Sequence, residues 1–249
     1  MLKISIVSYL NTAPFMKGIN GSGLEEAGKI QLSQDIPSIC AEKLISGEAD
    51  LGLIPVAILP LLGDYHIHGN TCIGSIGKVD SVLLLSDVPL EEIKTIVLDN
   101  HSRTSVMLCK LLARDFWKII PNYVQASTKT LEGVEGTTAG VLIGDRVFDY
   151  GSKYKYQYDL SEAWYNWTGL PFVFAVWASV KDLGISISEF ETALETGLEK
   201  IDEAIAEAKI HYPEHYPIEN YLRNRISYRL DSDKLKGLET FLTKLSTLT

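Results

Sequence analysis

Cysteine is scarce, with only Cys40, Cys72 and Cys109 in 249 residues. They are odd in number, widely spaced and set among apolar neighbours. A disulfide framework is therefore excluded, and buried free thiols in a reducing compartment are expected. Long apolar runs are missing as well, and none approaches the roughly 18 residues that span a bilayer. The opening Met1-Leu2-Lys3-Ile4-Ser5-Ile6-Val7 turns polar at once and reads as a strand, not a signal peptide, so a cytoplasmic location is expected. Basic runs are lacking too, and the net charge is −9. Such a chain repels nucleic acid and anionic membranes on average, so neither partner is expected. An anionic ligand would have to be held by local backbone dipoles and a few side chains. There is no Gly-x-Ser-x-Gly elbow, Cys-x-x-Cys pair or phosphate loop. His66 and His68 alternate as on a strand, while His211 and His215 have Pro213 between them and no carboxylate to complete a ligand set. Neither a metal nor an organic cofactor is expected. Oligomeric state is left open.

What is present is ordinary globular composition, 46% hydrophobic and 22% charged, enough for one large domain or two modest ones. As far as Trp177, strand-like and helix-like segments alternate, which points to an α/β fold. Strands are predicted at 3–7, 30–34, 49–54, 72–76, 81–85, 95–98, 140–143, 156–160 and 172–177. Helices fall at 11–19, at 37–46 (opened near Asp35 and closed by Gly47), at 104–117 and near 161–167, with a helical turn at 55–62. Leu108, Leu111, Leu112 and Phe116 share one face of the 104–117 helix. Beyond Ser179 only helices are predicted, at 188–208, 217–224 and 231–248, the first with Ser188 and Glu191 as a capping pair.

Residues 4–14 and 96–105 both run strand, short polar loop, helix. Their loops are Ser8-Tyr9-Leu10-Asn11-Thr12 and Asn100-His101-Ser102-Arg103-Thr104-Ser105. In open α/β sheets, ligands sit beyond the carboxyl ends of strands, where helix N-termini offer N–H groups. Two such loops could close on a small anion from both sides. Each position also has a plainer reading. Asn11 can be a cap or turn residue, Ser81 an ordinary strand-start serine, and Ser102, Thr104 and Ser105 capping groups. Arg103 can be a structural ion-pair partner, Asp145 an N-cap after Gly144, and Trp164, Trp167 and Trp177 core packing.

Five collinear blocks carry a resemblance. They are Val7-Ser8-Tyr9-Leu10-Asn11-Thr12-Ala13-Pro14, Gly47-Glu48-Ala49-Asp50-Leu51-Gly52-Leu53-Ile54-Pro55, Ser102-Arg103-Thr104-Ser105-Val106, Val141-Leu142-Ile143-Gly144-Asp145, and Trp167-Thr168-Gly169-Leu170-Pro171-Phe172-Val173-Phe174-Ala175-Val176-Trp177. Together they resemble the chorismate dehydratases of the futalosine route to menaquinone. One departure is Val56-Ala57-Ile58, where many relatives place an acidic residue soon after the proline. The resemblance implies a two-lobed type II periplasmic-binding-protein-like fold with a double crossover and a C-terminal helical segment. It implies lobe one at 1–86 and 176–249, lobe two at 87–175, hinges near 85–87 and 173–177, and a substrate cleft between the lobes.

The activity so implied is loss of water from chorismate to give 3-[(1-carboxyvinyl)oxy]benzoate. Removing the C3 proton and the C4 hydroxyl makes the ring aromatic, so the barrier lies in taking a weakly acidic proton and expelling hydroxide. The work left to a protein is orientation, stabilisation of charge on the C1 carboxylate, and a proton for the leaving group. The resemblance assigns Asn11 and Ser81 to catalysis. Ser8, Thr12, Ser102, Arg103, Thr104, Ser105, Gly144 and Asp145 are assigned to substrate binding. A serine hydroxyl is too weak a base to take C3–H unaided, and the substrate's own enolpyruvyl carboxylate could serve. Two other functions remain open: a non-catalytic small-anion-binding protein of the solute-receptor fold, and the sibling 1,4-dihydroxy-6-naphthoate synthase, whose family opens on a different motif.

Overall fold

The structure, a computed structural model, describes residues 1–126 and 133–248, without the side chains of 185 and 186. Proline and glycine set several of its element limits. Pro37 occupies the first turn of one helix and Gly47, at φ 75°, ends it. Pro14 opens another helix in the same way. In chain order the elements are β1 (Leu2–Val7), α1 (Ala13–Gly21), β2 (Ile30–Asp35), α2 (Pro37–Ser46), β3 (Leu51–Pro55), β4 (His66–Ser75), β5 (Val82–Ser86), β6 (Thr95–Leu98), α3 (Arg103–Leu111), β7 (Asn122–Gln125) and β8 (Thr138–Ile143). They continue as α4 (Arg146–Tyr150), β9 (Tyr156–Asp159), α5 (Leu160–Thr168), β10 (Phe172–Ser179), α6 (Ser188–Glu199), α7 (Ile201–His211), α8 (Ile218–Asn220), β11 (Ser227–Arg229) and α9 (Ser232–Leu245).

The chain divides into two compact α/β units. One is Met1–Gly74 with Val173–Asp231; the other is Ser75–Phe172 with the chain from Ser232 onward. These limits differ from the expected 1–86 with 176–249 and 87–175. The first difference arises because β5 pairs antiparallel with β8 and β9, which draws Val82–Ser86 into the second unit. The second arises at α9. Phe241 packs edge-on to Trp164 at 6.1 Å and to Phe172 at 5.1 Å. Gly237 lies so near the Pro171 carbonyl that a Cβ there would sit 2.2 Å from its oxygen.

In the first unit the strand order is β11-β4-β10-β3-β1-β2. There β1 runs parallel to β2 and β3, and β10 pairs antiparallel with β3. Its core joins Phe15 to Trp177 (5.9 Å) and Tyr228 (5.4 Å), and Trp177 to Phe190 (5.0 Å). In the second unit the order is β7-β6-β8-β5-β9, with β6 parallel to β7 and β8. β3, β5 and β10 are buried along their whole length, as their unbroken apolar character requires.

Three expectations are revised. The stretch after Ser179 is not all helix, because Ser227–Arg229 forms β11 against β4. The 188–208 helix breaks at Lys200 into α6 and α7. Its cap is Ile187, with Ser188 already inside the helix and no side-chain capping bond made.

Helices α1 and α6 meet at paired glycines. A Cβ on Gly197 would lie 2.0 Å from the Pro14 carbonyl oxygen, and one on Gly18 1.9 Å from that of Ala193. Backbone meets backbone there, so neither side can yield cheaply. Gly197→Ala is expected to cost at least about 2 kcal/mol through overpacking, read as a lowered melting temperature. Gly21→Ala, with open space around the added methyl, should be neutral or stabilising by up to about 1 kcal/mol. Equal effects from the two would refute this packing.

Candidate active site

Parallel pairing puts the carboxyl ends of β1, β2 and β3 on one edge of the first sheet, and the loop after β1 lies there. Ser8 continues the ladder through its N–H to the Asp35 carbonyl at 2.9 Å, and its side chain is exposed. Leu10–Thr12 forms a tight 3₁₀ turn. The buried Thr12 hydroxyl lies 2.8 Å from both the Val7 and Tyr9 carbonyl oxygens, folding the loop back onto the end of β1. Tyr228 of β11 donates its hydroxyl to the Asn11 carbonyl oxygen at 3.0 Å. Burial, with Tyr221 adding, pushes the Tyr228 phenol well above its ordinary value, so it stays a donor.

Asn11 carries the most informative atom of this loop. Its side-chain Oδ1 is buried and has no hydrogen-bond partner among the described residues. A buried acceptor left so costs about 1–3 kcal/mol, and a ligand donor would satisfy it. Val56, Ala57 and Ile58, the departure from the family pattern, are all buried at the end of β3.

The second sheet has a matching edge. The carboxyl ends of β6, β8 and β9 and the start of β5 all lie along it. Ser81 is buried, and its carbonyl accepts from the Gly144 N–H at 2.9 Å. Gly144 has φ 70°, a left-handed conformation that favours glycine. Ser102 caps α3, its Oγ accepting from Ser105 N–H at 3.3 Å and lying 3.2 Å from Ser105 Oγ. Thr104 and Ser105 are buried behind it. Arg103, at the first position of α3, is exposed. Asp145 is half-buried at the N-cap position of α4, as the plainer reading has it, although its side chain makes no capping hydrogen bond.

Sequence reasoning missed three groups on this edge. Asp99, directly after β6, is buried and takes Arg146 Nη2 on Oδ2 at 2.6 Å and the His101 N–H on Oδ1 at 2.7 Å. Arg146 is thereby a fixed, one-third exposed cation two residues beyond Gly144. Burial and then the Arg146 charge depress the His101 imidazole, against the pull of Asp99, so it is neutral at pH 7. Asp159, ending β9, accepts from the N–H groups of Val79 and Asp80 on one oxygen and of Ser161 and Glu162 on the other. Burial pushes its carboxyl up to about 6, against those backbone donors. It remains an ionised, acceptor-only group at neutral pH. The signal for Arg146 was its place beside Asp145; for Asp159 it was a cap position before a helix.

Among the described residues no group of three or more His, Cys, Asp or Glu side chains is placed to hold a metal. No helix among them is long and apolar enough to cross a membrane.

A profile of a family described as menaquinone biosynthesis matches residues 2–247. A relative from Thermus thermophilus named chorismate dehydratase is 27% identical over 201 residues, covering 70% of this chain and 68% of that one. A crystal structure of a protein from Archaeoglobus fulgidus superposes with TM-score 0.72 at 18% identity, over 99% of this chain and 97% of that one. A Candida albicans protein described as having the generic periplasmic binding protein fold gives TM-score 0.70 at 15% identity, over 100% and 91%. The fold is thus periplasmic-binding-protein-like.

Tyr228→Phe tests how the Asn11 loop is held. Losing this buried hydrogen bond is expected to cost about 1–1.5 kcal/mol, seen as a lower urea midpoint at unchanged slope. No shift in midpoint would mean the hydroxyl does not anchor the loop.

Proposed function

The chain belongs to the menaquinone biosynthesis family across nearly its whole length, and from that premise we propose that it is a chorismate dehydratase, a lyase forming 3-[(1-carboxyvinyl)oxy]benzoate. The observation that carries this reading is the buried Oδ1 of Asn11, which has no partner among the described residues. It sits within the opening motif shared with chorismate dehydratases, and a hydroxyl-bearing ligand would supply its missing donor. The name of the Thermus thermophilus relative supports the same activity.

In this reading each of the residues that the resemblance singles out has a task on the substrate. Asn11 Oδ1 accepts from the C4 hydroxyl and fixes the face from which it leaves. The Ser81 hydroxyl hydrogen-bonds the departing oxygen. Arg103, the N–H groups at the start of α3 and the Asp99-held Arg146 take the carboxylates, which answers the problem of binding a dianion to a chain of net charge −9. The C3 proton goes to the substrate's own enolpyruvyl carboxylate, which the ether link holds close to C3, and passes from it through the Ser81 hydroxyl to the departing C4 oxygen. Water leaves without change of oxidation level, and aromaticity provides the driving force.

Incubating the protein with chorismate and following products by chromatography tests the reading. The benzoate is expected to accumulate. Chorismate recovered intact, with measurable binding, would leave the solute-receptor alternative instead. Ser81→Ala and Asn11→Ala should each lower kcat about 100-fold. Arg103→Ala should raise KM about tenfold with little change in kcat, the sign of lost uniform binding. An unchanged KM removes the clamp role of Arg103.

A further inference from the structure

We infer that Asp159 is a positioning residue for this dehydration, setting the place of the Ser81 hydroxyl without touching substrate; the inference rests on the dehydratase reading above. Both of its oxygens are in use, on different partners. Oδ1 accepts from the first-turn N–H groups of α5, Ser161 at 3.0 Å and Glu162 at 3.1 Å, which is the work of a helix cap. Oδ2 accepts from Val79 N–H at 2.9 Å and Asp80 N–H at 2.7 Å, partners 80 and 79 residues away.

Two successive N–H groups converge on one oxygen only where the backbone between them turns sharply. Just beyond the second of these N–H groups, Asp80 has φ 63°, a left-handed conformation that disfavours any residue but glycine. Something must hold it there, and Oδ2 makes the bonds that do so. Ser81 is the next residue, and its own carbonyl is fixed by Gly144 N–H at 2.9 Å. The approach to Ser81 is therefore pinned to the end of β9, and Ser81 itself to the end of β8. A cap alone does not require the second oxygen, since serine, threonine or asparagine caps helices as well. Only a carboxylate accepts on both oxygens and can hold helix and turn at once.

That difference supplies the test. Asp159→Ser keeps a capping oxygen for α5 and leaves the Val79 and Asp80 N–H groups without their acceptor. With chorismate as substrate, kcat should fall about tenfold or more while KM changes less than about threefold, the mark of a misplaced group rather than a lost binding contact. A double-mutant cycle separates positioning from general damage. In a Ser81→Ala background, Asp159→Ser should cost little further activity, because the group it positions is already gone. A full additional loss in that background, or no loss of kcat in the single variant, overturns the inference. Should Asp159→Ser fail to fold, Asp159→Asn, which keeps the shape but offers one acceptor oxygen, is expected to behave in the same way. Wild-type protein that makes no benzoate overturns the dehydratase reading itself. Wild-type turnover that survives Asp159→Ser overturns the positioning role alone.

Discussion

In each unit three neighbouring strands run the same way, β1 with β2 and β3 in one sheet and β6 with β7 and β8 in the other. Parallel strands cannot be joined by tight hairpins, so each must be followed by a loop that leaves the sheet at its carboxyl edge. That constraint collects polar side chains, helix starts and turning glycines along a single border of each sheet. Ser8, Asn11 and Thr12 share one border, and Ser81, Asp99, Ser102, Gly144 and Asp159 share the other. The strands β3, β5 and β10, buried along their whole length, root the two sheets in their cores.

Electrostatics within these borders is local. The overall charge opposes an anion, yet the second border fixes Arg146 against a buried carboxylate and leaves Arg103 exposed at a helix start. Asp99 and Asp159 are both buried, and each spends its charge differently. Asp99 accepts from a guanidinium and from the His101 N–H, whereas Asp159 accepts from four backbone N–H groups. The first therefore orients a cation and the second shapes backbone. Hydroxyls follow the same division. Those of Thr12 and Ser102 are engaged with nearby backbone, while the Asn11 amide oxygen has no partner among the described residues.

Much of this was readable in the sequence wherever local pattern decides structure. The alternation of apolar runs marked β1, β2, β3, β5, β6, β8 and β10, and Gly47 marked the end of α2. The matched blocks pointed to the loops after β1 and β6. What escaped depends on distant partners. β11 has three residues, Ser227 to Arg229, too few to show a two-residue period, so Tyr228 was hidden inside an apparently helical tail. Asp159 stood only as one residue of a strand predicted at 156–160, because its bonds to Val79 and Asp80 span some 80 residues. The limits of the units escaped because the antiparallel pairing of β5 and the packing of Phe241 on Trp164 are tertiary choices. Ser188 and Glu191 matched a capping pattern, but α6 starts one residue earlier, so neither side chain caps it.

The most direct test of the central claim is a crystal structure of the slowed Ser81→Ala variant soaked with chorismate, which still carries the C4 hydroxyl. That hydroxyl is expected within hydrogen-bonding distance of Asn11 Oδ1. A ligand whose C4 hydroxyl lies away from Asn11, or that settles elsewhere, as in the 380 Å³ hollow between α1 and α6 lined by Lys17, Lys29 and Lys200, would contradict the claim.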